Sequence, residues 1–447
     1  MVKKVFLMLI FFAFIAKGTA QIEVHSSNQV GIGTTNPQHK LHVVGDAFVS
    51  GNFYLGSASK FLGTMGNYPV MFKVNNIHSG STGSDGNTSV SFGYEALPNI
   101  PLYATSGNTA VGYRTLFNNT TFAYTSGIKN TAIGSFALYT NTTGFYNTAI
   151  GAEALYSNTT GNYNNAFGHA SLYYNTIGNG NTAIGTYSLW LNTTGSYNFA
   201  LGPDALSGNT TGSGNTAIGY GALNTNTIGG YNFALGSFSG YGITGNNNVA
   251  IGTYTLFSSY GIPEINNSTA IGYGAMVGGS NQVIIGNNTV TSIGGYVAWS
   301  NYSDGRMKKN IRRDVPGLAF IKSLQPVTYN MDLDAVDKLF KRPNESVTDS
   351  VFPPKSEKMI EAEKKAREAK EKITQTGFIA QDVEKAAKEV GYDFSGVDVD
   401  EAGIYSLRYS EFVVPLVKAV HELCEQNERL QKQVEELNKR LEKLEPK

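Results

Sequence analysis

The run Tyr302-Ser303-Asp304-Gly305-Arg306-Met307-Lys308 sets a serine five residues before a lysine. A serine hydroxyl is a weak nucleophile until a base takes its proton. A lysine can be that base when burial or neighbouring cations favour its neutral form. Residues five apart do not share a helix face, so a turn must bring them together. Spacing alone assigns no role, and Arg306, Lys308, Lys309, Arg312 and Arg313 also read as a solvated basic strip. Other chemistry-bearing residues are sparse. Glycoside hydrolysis needs two neighbouring carboxylates, but the repetitive region offers Glu153 and Asp204, with Glu95 and Glu264 further off. Histidines 25, 39, 42, 78, 169 and 421 form no ligand cluster, so no metal site and no cofactor are expected. Tyr139, Tyr156, Tyr173, Tyr187 and Tyr220 suit a solenoid face or a chain interface, with sugar stacking as the alternative.

The elements that must position these residues are two different modules. The 447 residues carry 34 basic and 34 acidic side chains, but residues 1–300 hold only eight and seven of them. Zero net charge gives no support for a nucleic-acid or membrane-surface partner. Lys3 and Lys4, the apolar run Val5 to Ala16 and the small residues Gly18-Thr19-Ala20 form a signal-peptide pattern. Residues 1–20 are thus expected to be removed, which implies a secreted or bacterial cell-surface protein with no stable membrane span. The one cysteine, Cys424, supplies no internal disulfide framework and is expected to stay a thiol, with an interchain disulfide as the alternative.

Gly134, Gly151, Gly168, Gly185, Gly202, Gly219 and Gly236 recur every 17 residues. Asn lies four before each glycine, Ala two before, and Ile, Phe or Leu one before. Leu138 through Leu223 follow four after, then Asn-Thr pairs such as Asn141-Thr142 and Asn158-Thr159. Looser copies surround Gly93, Gly112, Gly252, Gly272 and Gly286, giving about a dozen units. Units this short cannot hold two helices. One unit per coil of a β-solenoid fits, with Ala and Ile facing inward and Asn stacking into ladders. At about 4.8 Å per coil the shaft would be roughly 55–60 Å long. The Asn-x-Thr triplets read as ladder or turn residues, not glycosylation acceptors.

The Asn-Thr-Ala-Ile-Gly units over residues 86–290 resemble the head repeats of trimeric autotransporter adhesins, which implies left-handed β-rolls packed as trimers. Gln29 to Pro37 with Lys40 to Val43 resembles a short β module of bacterial tail-fibre-like proteins. Gly31-Ile32-Gly33 within it reads as a turn rather than a nucleotide loop.

From Ser303, four ordered segments resemble the endosialidase-type intramolecular chaperone of tail spikes: Ser303 to Ile311, Leu324 to Tyr329, Gly377 to Glu384, and Leu407 to Leu416. That resemblance implies trimerisation, templated folding of the preceding β-structure, and self-cleavage beside the serine. It makes Ser303 the nucleophile and Lys308 its base, with Tyr302, Asp304 and Arg306 the other cleavage-motif positions. Arg306 and Lys309 would supply cationic pressure on the lysine. A charged stretch, about 333–372, departs from the pattern as a helical insertion.

Val413, Leu416, Val420, Leu423, Asn427, Leu430, Val434, Leu437, Leu441 and Leu444 alternate spacings of three and four, an a/d coiled-coil seam. Val at a with Leu at d leans towards two strands, whereas the resemblances imply three; three is the expectation here. The predicted fold is mainly β: signal peptide 1–20, N-terminal β module 21–85, solenoid shaft 86–290, linker 291–302, chaperone domain 303–412 and coiled coil 413–447. The expected function is a trimeric, adhesin-like fibre that contacts a surface glycan or other host-surface ligand. The alternative is a polysaccharide-binding or polysaccharide-cleaving spike.

Overall fold

The chain divides into two units, Met1–Thr64 and Met65–Lys447. A computed structural model describes residues 22–24, 30–32, 41–43, 71–74, 77–81, 88–99, 106–120, 126–256, 264–296, 299–339, 357–400 and 403–443. The signal segment lies outside the described residues. In the first unit, Val30–Ile32 pairs antiparallel with Ile22–Val24 and parallel with Leu41–Val43. Gly31 and Ile32 therefore sit in a strand and not in the expected turn.

The second unit is dominated by one long sheet. Three-residue strands from Val90–Phe92 to Val283–Ile285 each pair parallel with the next in sequence, which makes a β-solenoid. A hairpin, Met71–Val74 and Ile77–Ser81, extends the sheet at its beginning through Ser81 opposite Ser91.

The coil that contains Gly151 shows why the sequence closes this way. Successive strand residues point to opposite faces, so in Thr148-Ala149-Ile150 only Ala149 is buried. This corrects the expectation that Ala and Ile both face inward. Ile133, Ile150, Phe167, Leu201, Leu235, Ile271 and Ile285 form an outward row, each 36–39% exposed. Past Gly151 the chain twice adopts left-handed backbone, with Glu153 at φ 59° and Leu155 at φ 52°. The amides of these two residues point to opposite neighbouring coils. Glu153 N–H donates to the Ser135 carbonyl (2.9 Å) and Leu155 N–H to the Ser171 carbonyl (3.0 Å). Each left-handed residue costs about 1–2 kcal/mol, which the hydrogen bonds to both neighbours help offset. Gly151 itself, at φ 141°, cannot be replaced cheaply, because a Cβ would strike the Gly168 carbonyl.

In the coil around Gly151 one chain fills the interior. Ala149, Ala154 and Leu155 are fully buried, and so are Asn147 and Asn158. Where serine replaces the second alanine, its hydroxyl donates to a carbonyl of its own coil, as Ser188 does to Gly185 (2.8 Å). The asparagines form two ladders. In the first, Asn164 N–H donates to Asn147 Oδ1 (2.9 Å) and Asn181 N–H to Asn164 Oδ1 (3.0 Å). Asn164 Nδ2 crosses the interior to the Gly178 carbonyl (2.8 Å). In the second, Asn158 Nδ2 donates to Asn141 Oδ1 and Asn175 Nδ2 to Asn158 Oδ1, both at 2.8 Å. These ladder partners are 17 residues apart. The second ladder stops at Asn226, whose buried Oδ1 has no hydrogen-bond partner, because the next coil carries Ile243 at that position.

The C-terminal part contains helices α1 (Leu318–Ile321), α2 (Leu333–Leu339), α3 (Glu357–Glu371), α4 (Ala380–Glu389) and α5 (Val413–Glu442). Strand Val327–Tyr329 pairs antiparallel with Gln375–Gly377, and Val397–Val399 with Tyr405–Leu407. Phe320, Val383, Ala386, Ala387, Phe394 and Phe412 form its core. The charged stretch carries α2 at its start and α3 at its end. It also meets the end of the solenoid: Asn288 Nδ2 donates to Asp337 Oδ1 (2.9 Å) and Lys370 Nζ to the Val290 carbonyl (2.9 Å). Within α5 only Pro415 and Ala419 are buried; its leucines and valines stand exposed.

The ladders predict a difference between two identical substitutions. Asn175→Ala removes a rung with partners on both sides, whereas Asn226→Ala removes a terminal rung that is already half-satisfied. The first should cost on the order of 3 kcal/mol and the second clearly less, measured as urea unfolding midpoints at matched slopes. Equal losses would contradict the ladder as the source of stability.

Candidate active site: a serine and a lysine joined by one turn

The separation of five residues is resolved by a single 3₁₀ turn, Gly305–Met307. Asp304 caps it, since its Oδ1 accepts from the Arg306 backbone N–H at 2.9 Å. Asp at a cap followed by glycine is a favourable local choice, because the carboxylate satisfies an amide that the turn leaves free. Met307 N–H donates to the Asp304 carbonyl and Lys308 N–H to the Gly305 carbonyl, both at 3.1 Å. The chain thereby folds back, and Lys308 Nζ donates to Ser303 Oγ at 2.7 Å. The two residues that spacing alone could not join are in direct contact.

Arg306 does not act as expected. Its guanidinium forks onto Asp304, with Nη2 to Oδ2 at 2.7 Å and Nε to both carboxylate oxygens at 3.1 Å. Its charge is therefore partnered locally and not left to press on Lys308. The fork and the backbone hydrogen bond from Arg306 hold the Asp304 carboxyl below its ordinary range, and the carboxylate raises Arg306 in turn. The motif alone left Asp304 without a role and set Arg306 against Lys308. Geometry makes them the clasp of the turn that positions the pair.

Ser303, Lys308 and Tyr302 are all exposed, Tyr302 at 97%. The contact has the chemistry of a nucleophile beside a base, but the amine must first lose its proton before it can accept one from Oγ. The other segments read as motifs come together around the C-terminal core. Phe378 stacks on Phe412 with ring centroids 5.4 Å apart, and Phe378 N–H donates to Tyr409 Oη at 3.1 Å. Leu318 N–H donates to Glu422 Oε2 at 2.7 Å, which ties α1 to α5. Among the described residues no group of three or more His, Cys, Asp or Glu could hold a metal ion, and Cys424 is exposed and outside any disulfide.

The carboxylates of the shaft are not brought together as a catalytic pair. Glu153 lies 4.0 Å from His169. Asp204 stands three coils further on, about 15 Å away at the strand spacing, and burial raises its carboxyl above the ordinary range.

Asp304→Asn should loosen the clasp and slow any reaction at Ser303, while Ser303→Ala and Lys308→Arg should abolish it on denaturing gels. Because the clasp depresses Asp304, it is intact above the ordinary carboxylate value of about 4 and is lost only as acid drives pH through the lower folded value. Activity unaffected by Lys308→Arg would remove the lysine from the chemistry. No protein-family model, curated protein or solved structure matches this chain.

Proposed function

We propose that this chain is a secreted or cell-surface fibre protein that assembles as a homotrimer. Its C-terminal domain drives the assembly and then releases itself by cutting the chain at Ser303. The observation that carries the reading is unpartnered apolar surface in two places along one polypeptide. The solenoid displays its outward Ile, Phe and Leu row from coil to coil, and α5 displays Leu416, Val420, Leu423, Leu430, Val434, Leu437 and Leu441, each about half exposed. Apolar surface this extensive marks an interaction site. The α5 row is the a/d seam of a coiled coil, with Asn427 as the polar position that fixes register.

In this reading the 17-residue units are β-roll coils of the left-handed type, as in the adhesin heads they resemble, and their outward rows face other chains. The signal-peptide pattern delivers the chain out of the cell. Assembly also bears on the site, because packing chains around the exposed turn would exclude water from the Ser303–Lys308 contact. Ser303 Oγ would then attack the Tyr302 carbonyl carbon while Lys308 takes its proton. The C–N bond breaks, the proton passes to the Ser303 amine, and water hydrolyses the resulting ester to a Tyr302 carboxylate. The shaft would present its surface to a glycan or other surface ligand. The hydrolytic alternative lacks support, since carboxylates about 15 Å apart at the strand spacing exceed the separation that either glycosidase mechanism uses.

Light scattering on residues 21–447 with Ser303→Ala should give three chain masses. Leu430→Lys with Leu437→Lys should reduce that mass and slow assembly. A single chain mass for the parent protein would sink the proposal.

A further inference from the structure

Between the last solenoid strand and the turn at Gly305, the described residues form neither helix nor strand. This stretch carries the three most exposed aromatic side chains among the described residues: Tyr296 at 110%, Trp299 at 88% and Tyr302 at 97%. Ile293 precedes them at 62%. All four are spaced by three in the sequence. No Asp, Glu, Lys or Arg occurs from Gly286 to Ser303. Flexible, solvated connectors are rich in polar, charged and small residues and poor in aromatics. Depletion of charge with enrichment of Tyr and Trp is instead the composition of an interface centre.

The area decides what covers it. Three aromatic side chains at about 150–250 Å² each amount to roughly 600 Å² per chain, close to the roughly 800 Å² per partner of a stable interface. The segment also runs directly between the two apolar surfaces described above, the outward row of the solenoid and the domain that bears α5. An occupant that lies along all three in sequence order is another copy of this chain.

We propose that Ile293, Tyr296, Trp299 and Tyr302 belong not to a linker but to a neck, in which they pack against the same residues of neighbouring copies. The proposal rests on the assembly reading and adds a buried site to it. The neck lies on the shaft side of Ser303, so cleavage there leaves it attached to the shaft. It would then close the end of the fibre from which the helical domain departs.

The chain has two tryptophans, so Trp190→Phe leaves Trp299 as the sole reporter. In residues 21–447 carrying Ser303→Ala and Trp190→Phe, acrylamide quenching of Trp299 is measured beside the light-scattering mass. The expected result is a multimer in which quenching is at least about 3-fold weaker than in the urea-unfolded chain, reflecting burial at an interface centre. In the same background without the Trp190 change, Tyr296→Ser with Trp299→Ser should raise the concentration at which the multimer dissociates by about 10-fold or more, as loss of two aromatic anchors implies. A multimer whose Trp299 is quenched as freely as in urea overturns the neck and leaves the assembly standing. Unchanged dissociation in the double variant overturns it equally. Shielded Trp299 in a single chain would assign the cover to the chain's own body, and an exposed one in a single chain would remove assembly and neck together.

Discussion

A buried amide must have its hydrogen bonds, and that requirement governs this molecule. From the coil of Gly112 to that of Gly219, two asparagine side chains lie in the interior of each coil, where an unmet donor or acceptor costs about 1–3 kcal/mol. Asn147, Asn164 and Asn181 satisfy one another only if successive coils stack in register. A slip of one residue would turn every asparagine and alanine outward and every isoleucine inward. The ladders thus select one stacking of a chain with little hydrophobic core to choose with. The buried, unsatisfied Asn226 Oδ1 marks where the sequence stops supplying rungs of the second ladder.

That selection has a consequence for the outside. Small alanines, one leucine and paired amides complete the interior with a single chain, so no second chain is needed to fill it. The larger apolar residues of each strand are thereby sent to the surface, in a row that repeats from Ile133 to Ile285. The need for partners, in the proposed assembly, arises from this outer face and from the seam of α5, not from a hollow core. The same division appears in the C-terminal part. Its aromatic core around Phe320 and Phe412 is closed within the chain, whereas α5 projects with only Pro415 and Ala419 buried.

Much of this was legible in the sequence, for physical reasons that differ by element. The recurrence of Gly, Asn and Ala identified a solenoid because those residues answer to the backbone and the interior of every coil alike. The direction of Ile150 was misjudged, because an apolar residue next to a buried alanine looks like core until strand alternation is applied to the triplet. The left-handed backbone at Glu153 and Leu155 was invisible, since neither residue type favours it and only hydrogen bonds to both neighbouring coils hold it there. At the candidate site, Ser303 and Lys308 were identified, but the clasp was not. Its signal was present in Asp304-Gly305-Arg306, a cap residue and a turn residue followed by a partner for the carboxylate. Contacts such as Asn288 with Asp337 link segments distant in sequence and leave no local trace.

If the outer row is where chains meet, its position can be read chemically. A cysteine placed at Ile184, in a Cys424→Ser background, should form interchain disulfides on mild oxidation, whereas one at Thr160, an exposed position off the strand row, should not. Cross-linked chains from the first site alone are the predicted result. No cross-linking from Ile184→Cys in a verified multimer, or equal yields from both sites, would contradict the account.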